Sequence, residues 1–383
     1  MQISIWEKES FFANRDILII GAGLVGLWTA YEIKKRNPSI NILIIEKGIV
    51  PTGASTRNAG FACFGSPTEL LHDFDTQGKD DTLKVVEMRF KGIEKIKRLF
   101  VRGVIDYDNC GGFECLDNQK NDISAIKSRL PELNLLLKDV TGASETYTWA
   151  DEKLDTFGLA GFDALIENGF ESSLHSGKLL MAFVKFVQSM GVDILPGVEV
   201  AGWTEVSKGV ELEASYQINN QKEKLKFFGR NLIVCCNAFT NSLLPELKVS
   251  PERGQVIVTS PIPHLPLHGT FHYDEGFYYF RNIGNRILLG GARNSAFEEE
   301  HTDRLTETPG IQKKLEDFLR DHIAGDYEYT IDFRWSGIMG FTQNKQPVIH
   351  HVSDRVHAVV SCNGMGVALS PVVAEKVAES LFK

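Results

Sequence analysis

The chain has 383 residues, of which 43% are hydrophobic and 24% charged, and carries a formal net charge of -9. That length suits two domains of ordinary size, and the composition is that of a globular protein. The acidic balance argues against a nucleic-acid surface, and no run of about 18 apolar residues is available to span a membrane. The opening MQISIWEKESFF carries Glu7 and Glu9 and no apolar core, so it does not read as a signal peptide, and a cytoplasmic location is expected. Six cysteines, none in a C-x-x-C or zinc-type spacing, are expected to be structural.

The run DILIIGAGLVG, Asp16 to Gly26, reads as a strand, a glycine turn and the start of a helix. A strand is expected over 16–20, a helix from about Leu24 to Arg36 stopped by Asn37-Pro38, and a second strand over 40–46. Gly21, Gly23 and Gly26 fit G-x-G-x-x-G, and Glu46 closes the second apolar run 20 residues after Gly26. Gly21 permits the tight turn, Gly23 has no Cβ to obstruct a pyrophosphate, and Gly26 lets helix and strand pack closely. Leu24 and Val25 open the helix, whose first N–H groups and positive dipole end suit phosphate. Glu46 is placed to accept hydrogen bonds from a ribose diol. Together these residues predict a bound dinucleotide.

Further along, TLKVVEMRFKGIEKIKRLFV (82–101) spaces its apolar residues as an amphipathic helix. SGKLLMAFVKFVQSMG reads as a helix ending near Gly191, followed by a short strand in VDILPGVEV. GVELEASYQI and KEKLKFFGRNLIVCCNAF suit hairpin strands, and GQVIVTS, GFYYFRN and NRILLGG read as strands between Pro/Gly turns. The C-terminus offers another strand–glycine–helix unit: HAVVSC (357–362), NGMG (363–366), then VALSPVVAEKVAESLF. Nucleotide-type pieces at both ends with a β-rich stretch between them imply a discontinuous arrangement. Residues 1–75, 165–249 and 335–383 are expected to form one domain, and 76–164 and 250–334 a second.

GAGLVG with Glu46, STRNAG (55–60), NLIVCCNAFTNSLLP (231–245) and SCNGMGVALSP (361–371), read together, resemble the D-amino-acid oxidase-like group of FAD-dependent amine oxidoreductases. The resemblance covers nearly the whole length and is weakest between about 75 and 165. It implies an α/β fold: a Rossmann-like FAD-binding domain of the glutathione-reductase type, with a discontinuous α+β substrate domain built around a β-sheet. It implies FAD held non-covalently. The cofactor positions carried over are Gly21, Gly23, Leu24, Val25, Gly26, Glu46 and Lys47, then Ser55, Thr56, Arg57, Asn58, Ala59 and Gly60. Val198, Asn237, Asn363, Gly364, Met365, Gly366 and Val367 complete the set. STRNAG follows the second strand at the carboxyl edge of the sheet, where ligands bind in open α/β folds. NGMG offers a second helix N-terminus, which would stabilise negative charge on a reduced flavin.

In such enzymes a substrate gives its α-hydride to flavin N5, forming an imine that water hydrolyses. The resemblance therefore implies oxidation of an amine or amino acid. The arginine that clamps the substrate carboxylate in many members falls at Met339 here, and WSGIMGFTQNKQP is closer to the W-G-x-x-x-x-T-x-N-x-x-P pattern of the γ-glutamylputrescine oxidase branch. The opening S-I-W-E, Ser4 to Glu7, is also similar to that branch. Arg281, Arg293 and Arg334 are alternative carboxylate partners. The cysteine that attaches flavin covalently in some sarcosine-oxidase relatives aligns with Gly337. The lysine that promotes their reaction with oxygen aligns with Leu288 or Leu289, so either oxygen or a quinone-type carrier can be the acceptor. Tyr278 and Tyr279 in the run Phe277–Phe280, together with Arg57, are the catalytic candidates, with no more than one of the two tyrosines facing the site because alternate residues share a strand face. Cys63, His350 and His351 are weaker candidates near the flavin, and no metal is implied. A 2-hydroxy-acid or polyol dehydrogenase, and a flavin-binding subunit active only with a partner, remain the competing readings.

Overall fold

The computed structural model describes residues 3–342, 345–360 and 363–382. Gln343 and Asn344 of the T-x-N stretch, and Ser361 and Cys362 at the end of the expected last strand, lie outside the described residues.

The chain divides into two compact units. The first comprises Met1–Thr56, Gly177–Pro251 and Met339–Lys383, and the second Arg57–Ser176 and Glu252–Ile338. Residues 57–75, 165–176 and 335–338, expected in the first domain, belong to the second unit, while 250–251, expected in the second, belong to the first. The reason lies in their pairing. Phe61–Ala62 pairs with Ser172–Ser173, Ala164–Asn168 pairs with Gly112–Leu116, and helix Pro67–Gln77 packs on helices Lys79–Leu99 and Ile123–Thr141.

The first unit is built on strands in the order Val348–His351, Val356–Val360, Gln221–Val234, Arg15–Ile20, Ile42–Ile45 and Val192–Leu195. The last five are mutually parallel, and Val348–His351 is an antiparallel edge. Ile17–Ile20 and Ile42–Ile45 are buried on both faces, as the continuous apolar runs of a parallel sheet require. One face meets helices Leu24–Arg36 and Gly366–Leu381, which pack on each other, while Trp28 and Phe183 tie in helix Ser176–Ser189 with ring centroids 4.7 Å apart. The opposite face, with Leu18, Ile20, Leu43 and Leu232, packs on Val210, Leu212 and Phe227 of the hairpin Gly209–Ile218/Gln221–Val234. The helix Leu24–Arg36 has the bounds expected.

The second unit carries a sheet in the order Ile331–Phe341, Ser250–Thr259, Arg286–Gly291, Tyr278–Ile283, Thr270–Tyr273, Gly112–Leu116, Ala164–Asn168 and Tyr147–Trp149. Its core face stacks Phe113, Phe271 and Phe280 at centroid spacings of 5.0 and 4.9 Å beneath helix Pro309–Phe318. Aromatic area of this kind is the main stabilising term in such a core. The helix expected over 82–101 begins three residues earlier, at Lys79, because Gly78 (φ +89°) ends one helix and starts the next, and Asp80 and Asp81 favour the new N-terminus.

Candidate functional site

In the first unit the glycine turn is tied to its surroundings by backbone groups. Gly21 has φ +102°, and a Cβ there would stand 2.6 Å from the Cys235 carbonyl oxygen. A Cβ on Gly26 would stand 2.0 Å from the Gly21 carbonyl oxygen, so only glycine permits this approach of helix to strand. Gly23 is the N-cap of helix Leu24–Arg36 and supplies no side-chain cap. Instead, the Leu24 N–H donates to Ser55 Oγ at 2.9 Å. Glu46 Oε2 accepts the Ala22 N–H at 2.8 Å and Oε1 accepts the Gly48 N–H at 2.9 Å. The carboxylate is thus locked against the turn, and each of its oxygens keeps a further lone pair for a hydroxyl.

Other expected residues gather around this frame. The Val198 N–H donates to the Glu46 carbonyl at 3.0 Å. Lys47, exposed, pairs with Glu199 at 2.8 Å. Ser55, Thr56 and Arg57 of STRNAG lie in the helical turn Ala54–Arg57, and Thr56 Oγ1 donates to the Pro51 carbonyl at 2.9 Å. Asn237 and Asn363 both have positive φ, 46° and 43°, and both meet Gly340. A Cβ at 340 would stand 2.7 Å from Asn237 Oδ1, and the Asn363 N–H donates to the Gly340 carbonyl at 3.3 Å. Asn237 Oδ1 and Asn363 Nδ2 are buried with no hydrogen-bond partner, the pattern left when a polar ligand is to complete a site. Gly364 (φ +80°) and the cap residue Met365 lead into helix Gly366–Leu381, whose first turn contains Val367. Two helix N-termini, a fixed carboxylate and two buried amides, each with one unpartnered atom, fit a dinucleotide carrying a flavin. Burial pushes the nearby Cys236 thiol up to about 12, which keeps it inert.

The remaining candidates lie in the second unit. Arg57 Nη1 donates to the Ser336 carbonyl at 2.8 Å, and Trp335 Nε1 donates to the Arg57 carbonyl at 2.9 Å. A Cβ on Gly337 would stand 3.1 Å from Arg57 Cβ, which leaves little room for a side chain there. Asn58 Oδ1 accepts from the Gly60 N–H (2.9 Å) and the Ser176 hydroxyl (2.6 Å). Gly60 has φ +74°, and its Cβ would stand 2.2 Å from the Leu174 carbonyl oxygen.

The two tyrosines face opposite sides of their strand. Tyr278 stacks on Phe318 at 4.4 Å in the aromatic core. Tyr279 packs on the other face with Ala59, Val256, Leu288 and Trp335, and its ring fills the space above Gly290. Burial pushes its phenol up to about 12. Register places His272 directly opposite Tyr279, and Glu114 beside His272 on the next strand. Glu114 is buried; burial raises its carboxyl, while the Thr68 hydroxyl and N–H, the latter at 3.0 Å, pull the other way. Sequence reasoning missed Glu114 and His272. Their signal is one ionisable acid or histidine in a strand with no other charged residue, FECL and TFHY.

None of the three alternative arginines is unengaged. Arg281 Nη1 donates to the carbonyls of Gly60 (2.8 Å) and Leu174 (2.9 Å). Burial holds this guanidinium below the usual arginine range. Arg293 pairs with Glu252 at 3.0 Å, and Arg334 with Glu316 at 2.7 Å. Leu288 and Leu289 are buried, and His351 pairs with His357. No helix among the described residues is long and apolar enough to cross a membrane.

Residues 16–380 match the family model for FAD dependent oxidoreductases of the DAO family. The chain is similar to the probable oxidoreductase OrdL of Haemophilus influenzae, with 22% identity over 96% of this chain and 83% of that protein. It is 23% identical to the gamma-glutamylputrescine oxidoreductase of Escherichia coli over the same shares, 96% and 83%. Its fold matches the crystal structure of glycine oxidase from Geobacillus kaustophilus with a TM-score of 0.71, at 19% identity, covering 96% of this chain and 95% of that one. The sequence match over nearly the whole chain, the shared fold and the two glycine turns lead to one conclusion: the chain belongs to the DAO family of FAD-dependent oxidoreductases.

Proposed function

We propose that this chain binds FAD non-covalently in its first unit and oxidises a carbon–nitrogen bond of an amine or amino acid, leaving an imine that water hydrolyses. The observation that carries the cofactor assignment is the glycine turn locked by Glu46 on Ala22 and by Ser55 on Leu24. FAD, when bound, supplies the hydride acceptor. The first-turn amides of helix Leu24–Arg36 bind the pyrophosphate, and Glu46 orients the ribose through its remaining lone pairs. Asn237, Asn363 and the helix start at Met365–Val367 hold the other end of the cofactor. The close approach of Gly337 to Arg57 favours non-covalent attachment, since a cysteine there would require Arg57 to shift.

Little acid–base machinery is needed, because a water-poor pocket itself disfavours the ammonium form of the substrate. We assign the substrate-facing hydroxyl to Tyr279 and a positioning role to Arg57, whose guanidinium and carbonyl hold Ser336 and Trp335. The engagement of Arg281, Arg293 and Arg334 by groups of the protein itself favours an amine without a clamped α-carboxylate, such as a polyamine derivative. Kinship with a γ-glutamylputrescine oxidoreductase supports the same class. The buried Leu288 and Leu289, in place of a lysine, favour a carrier other than oxygen as the electron acceptor.

The test is anaerobic reduction of the purified yellow protein by D-amino acids, N-methyl amino acids, polyamine derivatives and 2-hydroxy acids in turn. Bleaching by an amine with release of ammonia or amine is expected, with faster reoxidation by a quinone than by oxygen. Bleaching by hydroxy acids alone would overturn the reading in favour of C–OH oxidation. Acid precipitation should leave the flavin in the supernatant.

A further inference from the structure

Cys63, Glu171 and His272 converge within the second unit from three distant stretches of chain. Cys63 follows strand Phe61–Ala62, Glu171 precedes its partner strand Ser172–Ser173, and His272 lies on Thr270–Tyr273. Sγ, a carboxylate oxygen and a ring nitrogen lie within 4.8 Å of one another. The site is largely buried: the side chains of Glu171 and His272 are 2% and 12% exposed, and Cys63 is buried.

The carboxylate is pre-aimed. Glu171 Oε1 accepts the Phe64 N–H at 3.1 Å, which leaves Oε2 turned to His272. Space for Oε2 exists because residue 112 is glycine; a Cβ there would stand 2.1 Å from it. The imidazole is held edge-on by the Phe61 ring, with centroids 5.3 Å apart. His272 Nε2 is buried and stands 3.4 Å from Glu171 Oε2, an ion-pair distance, but no atom meets hydrogen-bond geometry to it. That spacing is long for an N–H···O bond. It is close to the separation of about 3.4 Å between two N/O ligands that each lie about 2.0–2.1 Å from one tetrahedral ion.

We propose that Cys63, Glu171 and His272 form a site for one thiophilic divalent cation, with Zn2+ as the best match. Thiolate, carboxylate and neutral imidazole are a ligand set suited to zinc, and their summed charge of about -2 balances the ion in a buried place. On binding, metal–sulfur, metal–nitrogen and metal–oxygen bonds form, and the protons displaced from the ligands pass to solvent. Three protein ligands leave the fourth position for water or another small ligand.

The FAD-loaded full chain, stripped with a chelator and dialysed, should take up one equivalent of Zn2+ in competition with a chromophoric chelator. Loading with Co2+ should give a thiolate-to-metal absorption band in the difference spectrum against the metal-free protein. Cys63→Ser should abolish that band, and Cys63→Ser and Glu171→Gln should each weaken Zn2+ binding by on the order of 100-fold. Both substitutions preserve side-chain size, and retained flavin absorbance and an unchanged melting temperature establish that the variants fold. Absence of stoichiometric Zn2+ binding to the wild-type chain overturns the proposal. So does binding of equal affinity in wild type and both variants, which would place the ion on other residues.

Discussion

The two sheets bury their interiors to a similar degree but handle polar groups in opposite ways. In the first unit the parallel strands Ile17–Ile20 and Ile42–Ile45 are apolar on both faces, and every polar feature of the site sits past their carboxyl ends. There the backbone does most of the work: N–H groups of Ala22 and Leu24, carbonyls of Gly21 and Glu46. In the second unit the polar groups stand mid-strand on one face: Glu114, His272, Tyr279 and Arg281. These are side chains rather than backbone groups, and the opposite face is an aromatic core. A site made largely of backbone at strand ends should be more sensitive to changes of glycine than to changes of side chain. A site made of side chains on a sheet face should behave in the reverse manner.

The most severe break of this contrast is Gly26→Ala. Its Cβ would meet a backbone oxygen at 2.0 Å, with no flexible neighbour to move aside. Overpacking of this kind costs about 3 kcal/mol or more, and flavin content after purification should fall to near zero. A purified Gly26→Ala protein with full flavin content would refute the account of the turn. Next comes Arg281→Ala, which strips the charged donor from the carbonyls of Gly60 and Leu174 and leaves a cavity. A loss of about 3 kcal/mol in denaturant unfolding is expected, whatever the substrate. A normal unfolding midpoint with a raised KM for carboxylate substrates would return Arg281 to the role of a carboxylate clamp.

Two smaller substitutions sharpen the comparison. Glu46→Gln keeps the shape but loses charge at an acceptor of two N–H groups, so FAD affinity measured by fluorescence should fall by roughly tenfold or more. Tyr279→Phe should lower kcat/KM by about tenfold, the value of one hydrogen bond of ~1.4 kcal/mol, with the melting temperature unchanged. Tyr278→Phe, on the core face, should leave kcat/KM unaltered. Equal effects from the two tyrosines would mean that sheet face does not decide function.

The same contrast explains what could be read from sequence. The turn was legible because its parts are contiguous: strand, three glycines and helix lie within eleven residues, and Glu46 follows at the spacing that one helix and one strand dictate. Two-sided burial made the parallel strands stand out as unbroken apolar runs. The face that gathers Glu114, His272 and Tyr279 was not legible, because it depends on the register of strands more than 150 residues apart in the chain. TFHY is only four residues long, too short to display a period. Alternation did establish that Tyr278 and Tyr279 oppose each other, but it could not say which one enters the core. The unit boundary at Arg57 was hidden for a related reason: Phe61–Ala62 is a two-residue strand whose partner lies 110 residues on.

The smallest effect concerns the edge of the first sheet. His351 and His357 sit opposite each other in the register of Val348–His351 and Val356–Val360, with their Nδ1 atoms 2.9 Å apart. One nitrogen of such a pair must accept, so both rings cannot be protonated there without losing the bond. Burial first, and the neighbouring His351 second, hold His357 below the ordinary histidine range. As pH falls below about 6.5, the unfolded chain therefore takes up a proton that the folded chain resists. The unfolded state binds more protons in that window, so the contribution is complete above it and is lost as pH falls. Urea unfolding between pH 8 and 5.5 should show that decline, and His351→Ala, by removing the second cause, should shallow it. A slope unchanged in His351→Ala would leave burial of His357 as the sole source of the shift.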